Sequence, residues 1–82
     1  MAKRKVVKPK DRKTALQVSF GKLVRVKRVE KKLSQEELAD RADLHFTYVS
    51  SVERGERNIS IENIAKLAKA LGCQLKDLMP SI

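Results

Sequence analysis

The side chains best suited to direct polar recognition in this 82-residue chain are small hydroxyls within residues 44–54. Apolar residues at positions 44, 49 and 52 predict the buried side of a short helix, so the residues between them should face outward. These outward residues are Phe46, Thr47, Ser50 and Ser51. A hydroxyl both donates and accepts hydrogen bonds, so it can contact either kind of base edge in a nucleic acid, as a weak discriminator. His45, at the helix start, can donate to a phosphate or a base.

The preceding stretch predicts a second short helix, joined to the first by a tight turn. Ser34 and Glu37 have the spacing of a capping box, which opens a helix. A narrow apolar edge follows, made of Leu38, Ala39 and Ala42, and Asp43 then breaks the pattern. Two short helices with a tight turn between them, the second with a free polar face, are typical of a helix-turn-helix. This pattern favours DNA binding.

The charge distribution favours a polyanionic partner. The net charge is +9, and residues 1–13 carry seven basic residues against one acidic residue. We expect residues 1–13 to be a disordered arm whose Lys3, Arg4 and Lys5 follow DNA phosphates or enter a minor groove. Nucleic acid is the first candidate partner and an anionic membrane surface the second. The alternative is a solubilising tail.

Several function classes find no support in the sequence. Cys73 is the single cysteine and His45 the single histidine, so neither an intramolecular disulfide nor a metal site is expected. No cluster of acids or nucleophiles has catalytic spacing, and we expect no cofactor and no enzymatic activity. No apolar run reaches the roughly 18 residues that a membrane span needs. The chain is therefore expected to be a soluble cytoplasmic protein.

The remaining pattern predicts an all-α fold, with a globular domain over residues 14–82. The first helix, over residues 14–32, has two apolar stripes; the inward stripe is Leu16, Phe20, Leu23 and Val24, and the other is Val18, Val26 and Val29. The second stripe could be exposed or covered by another subunit or by the arm. Ser60 should cap a fourth helix, which ends at Gly72, with the apolar stripe Ile61, Ile64, Ala65, Ala68 and Leu71. A fifth short helix is expected over residues 74–79, and Tyr48 should pack on the first or fourth helix.

From about residue 20 to residue 79 the chain resembles the lambda-repressor/Cro-like helix-turn-helix family of bacterial and phage regulators. The matching segments are Gly21, Arg28, the run 33–39 (LSQEELA), the run 48–50 (YVS), the run 53–55 (ERG) and the run 68–72 (AKALG). Within that family, the small size and the segment 52–58 look most like controller proteins of restriction-modification systems. The resemblance implies a compact five-helix domain, bacterial or phage-encoded and nucleoid-associated, with the third helix in the major groove of DNA.

The resemblance also implies roles for single residues. Arg28 and Glu53 stand where several family members have a largely buried ion pair, and Gln35 stands where the second helix meets a backbone phosphate. Asp43 and Lys32 replace glycines that are common at the ends of the second and first helices. Asp tolerates a left-handed conformation better than most residues, so the turn should survive. We expect the DNA backbone to be contacted by Gln35, His45, Arg54, Arg57 and Asn58.

These patterns together predict a sequence-specific, homodimeric transcription regulator, either a repressor or a controller of a restriction-modification operon. Apolar residues near the C-terminus exceed what one short helix can bury, which predicts a dimer interface made of Leu71, Leu75, Leu78 and Met79. On this interpretation, Leu78→Glu would produce a monomer. The partner would be double-stranded DNA with a near-palindromic operator, without a membrane or a small-molecule effector. The alternative is an antitoxin or coactivator that uses the same fold to bind a protein, which the two apolar sides of the first helix favour.

Overall fold

The computed structural model describes residues 13–80, which form four α-helices and one 3₁₀ turn. The helices are α1 (Ala15–Glu30), α2 (Gln35–Ala42), α3 (Phe46–Glu53) and α4 (Ile61–Leu71), and the 3₁₀ turn is Leu75–Leu78. Residues 13–80 contain no β-strand, so the all-α prediction is confirmed within that range. The prediction of a fifth helix is not confirmed. Only a few residues lie between the left-handed cap at Gly72 and Pro80. They form a single 3₁₀ turn, in which the Asp77 carboxylate accepts a hydrogen bond from the Gln74 amide.

Side-chain caps set the start of each of these helices. Ser34 Oγ accepts from the Glu37 amide at 2.9 Å, and the Glu37 carboxylate accepts from the Ser34 amide at 2.8 Å. The predicted capping box is therefore confirmed. The same arrangement opens α1 at Thr14, and Ser60 caps α4 as predicted. Because a cap satisfies amides that lack an intrahelical partner, these residues fix where each helix begins.

Left-handed residues end the helices and allow the tight turns. Asp43, between α2 and α3, has φ 56°, and Lys32, after α1, has φ 59°. These are the two positions where the resemblance noted in the sequence predicts glycine, and here the larger residues adopt the strained conformation themselves. Gly55 and Gly72 take positive φ after α3 and α4, as expected for a C-terminal cap.

Aliphatic side chains from all four helices and the 3₁₀ turn form one core. The fully buried side chains are Val24, Leu38, Val49, Val52, Leu67, Leu71 and Leu78. The predicted inward stripe of α4 is partly wrong, since Ile61 is 68% exposed and Ala65 is also exposed, whereas Leu67, which the stripe left out, is fully buried. The core side of α4 therefore centres on positions 64, 67, 68 and 71, and Ile61 in the first turn lies beyond it.

The first helix packs closely against α3 and leaves part of its apolar surface exposed. Phe20 and Val24 are buried as predicted, but Leu16 is 50% exposed, because it lies one turn before the packed region. A side chain on Gly21 would stand 2.4 Å from the Val52 carbonyl oxygen, so α1 and α3 need glycine at this contact. On the other stripe, Val26 and Val29 are exposed in the described chain. No helix within residues 13–80 is long and apolar enough to cross a membrane.

Candidate nucleic-acid interface

The third helix has one buried side and one open side. Val49 and Val52 are completely buried against the core, which fixes the rotation of α3 about its axis. Phe46 is 41% exposed and Thr47 is also exposed, so the start of α3 is open to solvent. Ser50 is half-buried. The outward face predicted from the sequence is therefore present for Phe46, Thr47 and Ser50.

A hydrogen-bonded ion pair joins α1, α2 and α3 behind this face. Arg28 donates from Nε to Glu53 Oε2 at 2.6 Å and from Nη2 to Glu53 Oε1 at 3.0 Å. Only 4% of the Glu53 side chain and 13% of the Arg28 side chain are exposed. The third donor of Arg28, Nη1, bonds to the Leu33 carbonyl at 2.8 Å, and Gln35 Nε2 donates to Glu53 Oε1 at 2.9 Å. The end of α3 is thus tied to both other helices.

Gln35 does more within the domain than the sequence indicated. Its side-chain nitrogen donates to Glu53, so one of the two N–H groups of the Gln35 amide is used within the ion-pair network. The other N–H and the amide oxygen are left for an outside partner. Gln35 is half-buried at the first position of α2, so the side chain belongs to the network and to the edge of the open face at once.

Ser51 was predicted to face DNA, and the structure shows that this was wrong. The residue is only 6% exposed. Its hydroxyl donates to the Tyr48 carbonyl at 2.8 Å and accepts from Arg57 Nε at 2.8 Å, so it holds the loop after α3 in place. The loop after α3 explains the error, because Arg57 folds back over Ser51 and covers a hydroxyl that helical periodicity alone places on the outward side.

His45 is the N-cap of α3, a role that the sequence did not suggest because His is not a favoured N-cap. Its Nδ1 atom accepts from the Thr47 amide at 3.2 Å and lies 2.8 Å from the Thr47 hydroxyl oxygen. The exposed imidazole therefore sits at the open end of α3, hydrogen-bonded to a candidate base-reading residue.

The loop after α3 presents a row of basic and amide groups. Arg54 donates to the Ser50 hydroxyl at 2.5 Å and to the Glu56 carboxylate at 3.1 Å, and this arginine lowers the pKa of Glu56. The Arg57 guanidinium lies over the Tyr48 ring, 5.1 Å from its centre. Arg54, Arg57 and Asn58 are all exposed. Tyr48 also accepts from Asn63 of α4 at 3.1 Å, which confirms its expected packing against the fourth helix.

The predicted dimer residues divide into two groups. Leu71 and Leu78 are 1% and 0% exposed, so they belong to the core of one chain and not to an interface. We therefore expect Leu78→Glu to destabilise the domain itself, so this change cannot test the dimer interface as the sequence suggested. Leu75 and Met79 are 39% and 51% exposed. The sequence showed that the segment was apolar, but the depth of the pocket that receives Leu78 depends on the packing of α4 against the turn.

Within residues 13–80, no group of three or more His, Cys, Asp or Glu residues could hold a metal ion. Burial raises the pKa of the half-buried Cys73 thiol.

Lys3, Arg4 and Lys5 lie outside the described residues. The first described residue is Lys13, whose Nζ atom lies 4.0 Å from Glu56 Oε2. The chain segment that leads to α1 thus comes close to the loop after α3.

Comparison with known protein families assigns the chain to one of them. Residues 24–78, about two thirds of the chain, match the helix-turn-helix family. The protein belongs to that family. Its α2 and α3, joined through the left-handed Asp43, are the two helices of the motif.

Three individual relatives are described as control or controller proteins. The chain is 52% identical over 65 residues to the control protein C.BamHI of Bacillus amyloliquefaciens, covering 78% of this chain and 80% of that protein. It is 40% identical to the control protein C.MunI of Mycoplasma sp over 82% of this chain and 92% of that protein. Among solved structures, the restriction-modification controller protein C.AhdI from Aeromonas hydrophila is similar at a TM-score of 0.79 and 47% identity, over 80% of this chain and all of that one. The resemblance seen in the sequence is therefore confirmed.

Proposed function

We propose that the protein is a sequence-specific transcription regulator that binds a near-palindromic DNA site as a homodimer and controls a restriction-modification operon. One observation carries the proposal: the start of α3 is exposed, while its end is fixed by the buried Glu53 and its contacts with α1 and α2. Such a helix can enter a major groove without changing its orientation in the domain. The protein needs neither a cofactor nor a catalytic group for this activity.

The residues divide between reading bases and holding the backbone. Phe46, Thr47 and Ser50 would face base edges, with the Phe46 ring available for a thymine methyl group. None of these three residues makes the bidentate contact that gives strong base discrimination. Specificity then depends on the geometry of two half-sites and on phosphate contacts from Gln35, His45, Arg54, Arg57 and Asn58.

A homodimer would use the apolar surface that the chain leaves exposed near its C-terminus. Met79 and Leu16 line the same groove, which has a volume of about 110 Å³ and is also bordered by Phe20, Ile59, Ile64 and Pro80. Because Leu71 and Leu78 are committed to the core, we assign the interface to Leu75 and Met79. A symmetric pair would place its two α3 helices roughly 34 Å apart, one turn of DNA.

The basic N-terminal segment would add contacts with phosphates. Lys13, which follows the basic residues 1–12 in the sequence, lies close to Glu56 in the loop that also carries Arg54 and Arg57. A basic segment that starts there can reach the DNA next to the major groove occupied by α3. The lysines and arginines of residues 1–12 would then raise affinity without adding base selectivity.

The direct test is enrichment of random duplexes by the full-length protein at near-physiological salt. A near-palindrome with half-sites ~10 bp apart is the expected result. A variant lacking residues 1–12 should select the same sequence but lose affinity less steeply as salt rises, because it releases fewer counterions. Binding without any selected sequence would contradict the regulator, since charge alone would then account for it.

A second candidate, an antitoxin or coactivator that binds a protein, is favoured by one observation. Val26 and Val29 leave an apolar stripe exposed on the side of α1 away from the core, at 51% and 56% exposure. The variant Val26→Thr/Val29→Thr separates the candidates. DNA selection should remain unchanged if the protein is the regulator proposed above, whereas loss of a stable protein complex in cells would support the interaction protein.

A further inference from the structure

We propose that His45 sets the hydrogen-bond direction of Thr47, so that the Thr47 hydroxyl acts as an acceptor and selects a base carrying an exocyclic amino group. The inference rests on the proposed function, because it names what one residue of that interface recognises. A threonine hydroxyl on its own can donate or accept, which makes it a poor discriminator. The environment of Thr47 removes that ambiguity.

The argument starts at the imidazole. A backbone amide can only donate, and the Thr47 amide donates to His45 Nδ1 at 3.2 Å. Nδ1 is therefore the unprotonated nitrogen, and in the neutral ring the proton is on Nε2. The Thr47 hydroxyl lies 2.8 Å from the same Nδ1 atom. Since Nδ1 has no proton to give, the hydroxyl must be the donor in this second bond.

The direction of this bond determines which hydrogen-bonding groups of Thr47 Oγ1 remain available to DNA. With its single proton directed at Nδ1, Thr47 Oγ1 has only lone pairs for an outside partner. In the major groove, the donors that meet lone pairs are the N6 amino group of adenine and the N4 amino group of cytosine. Guanine and thymine place a carbonyl oxygen at the corresponding positions, which repels a second acceptor. Thr47 should therefore distinguish adenine from guanine, or cytosine from thymine, at one position of each half-site.

Ser50 shows the opposite arrangement on the same face. It accepts from Arg54 Nη1, a group that can only donate, so the Ser50 hydroxyl keeps its proton for another acceptor. His45 makes no contact with Ser50 in the hydrogen bonds of residues 13–80. Any base preference that arises from Ser50 should therefore be independent of residue 45, which gives an internal control.

The test uses four full-length proteins: wild type, Thr47→Val, His45→Gly and His45→Asn. Glycine removes the side-chain acceptor at little cost to the helix cap, whereas asparagine keeps a neutral oxygen that caps the same amide. For each protein, two duplexes derived from the enriched site compete for binding. At one position of a half-site the first duplex has an amino base and the second a carbonyl base, and the ratio of the two affinities is measured. Circular dichroism confirms that each variant is folded.

The wild type should prefer the amino base at one position by roughly fivefold, the effect expected of one hydrogen bond. Thr47→Val and His45→Gly should reduce that ratio to near one, and His45→Asn should keep it. Preferences at other positions should stay unchanged in the residue 45 variants. The proposal is overturned if His45→Gly keeps the wild-type ratio, or if the wild type prefers the carbonyl base at the position that Thr47→Val affects.

The two levels of the account fail differently. If the wild type selects no sequence at all, the regulator and this inference fall together. If a sequence is selected but residue 45 does not alter it, only the inference falls. Nitrogen-15 NMR of the free wild-type protein gives an independent check, since the neutral imidazole should be in the Nε2–H form. Observation of the Nδ1–H form would overturn the proposal without any DNA experiment.

Discussion

Helix α3 and the C-terminal 3₁₀ turn are both short, but they are held in different ways. Glu53, at the end of α3, has hydrogen bonds from Arg28 and Gln35, and Val49 and Val52 are fully buried on the inner side of the helix. The 3₁₀ turn is anchored by one fully buried residue, Leu78, while Leu75 and Met79 are substantially exposed.

This difference shows which element a single chain fixes by itself and which surface it leaves exposed. The orientation of α3 is fixed inside a single domain, because polar and apolar contacts act on the same helix. The C-terminal segment keeps apolar surface that a partner subunit could cover. The exposed polar face of α3 and the exposed apolar face of the turn are thus different kinds of open surface, and the following changes should affect them separately.

The largest expected effect comes from breaking the ion pair behind α3. Glu53→Ala should lower the free energy of unfolding by about 3–5 kcal/mol, because the largely buried Arg28 loses its partner. Urea denaturation of the variant measures this change. Glu36→Ala is the matched control, since Glu36 is an exposed residue in the first turn of α2, and its effect should stay within ~0.5 kcal/mol. Equal losses for the two variants would show that the pair does not hold α3.

The second-largest effect should differ between two neighbouring residues of the C-terminal segment, Leu78 and Met79. Leu78→Ala should cost about 3 kcal/mol of stability, as expected for a large side chain removed from a core. Met79→Glu should leave the unfolding free energy of the single chain nearly unchanged but dissociate the proposed dimer in sedimentation equilibrium. A dimer that persists in Met79→Glu and in Leu75→Glu would place the interface on another surface.

A close contact between helices gives an intermediate effect. In Gly21→Ala the new methyl group would stand 2.4 Å from the Val52 carbonyl oxygen and 2.8 Å from that of Glu53. Overpacking of this kind costs roughly 3 kcal/mol, and the better helix propensity of alanine returns about 1 kcal/mol. Thermal unfolding should therefore show a net loss, and DNA binding should weaken further because α3 must move. An unchanged melting temperature would mean that α1 and α3 can separate freely.

The smallest effect concerns the start of α2. Hydrogen bonds from Ser34 lower the pKa of Glu37, so its ionised form favours the folded state. That contribution is complete above the ordinary carboxyl pKa of 4.5 and is lost as the pH falls through the lowered folded value. Glu37→Gln should thus slightly destabilise the protein near neutral pH and have no such effect in acid. A stability difference that grows in acid would contradict this assignment.

Much of the fold follows from local patterns that the sequence displays. The capping box at Ser34 and Glu37, the cap at Ser60 and the left-handed end at Gly72 each depend on residues a few positions apart, so they could be predicted. The buried apolar positions of α2 and α3 followed from helical periodicity for the same reason. The placement of Phe46 and Thr47 on the open face of α3 could also be predicted.

The errors lie where burial depends on contacts between distant segments. Ser51 looked like a surface hydroxyl, but Arg57 and the Tyr48 carbonyl enclose it. Leu78 looked like an interface residue, but it fills the core beneath α4. The cap of α3 by His45 is a different case, since its bond to Thr47 through Nδ1 is local but depends on a side-chain rotamer that periodicity does not specify.

The central claim is that the open face of α3 meets DNA, and NMR titration of the nitrogen-15-labelled protein with the enriched duplex tests it most directly. The account predicts the largest amide shifts at residues 45–50 and in the loop 54–58, with small shifts along the exposed side of α1 around Val26 and Val29. Large shifts on that side of α1, with residues 45–50 unmoved, would contradict the account.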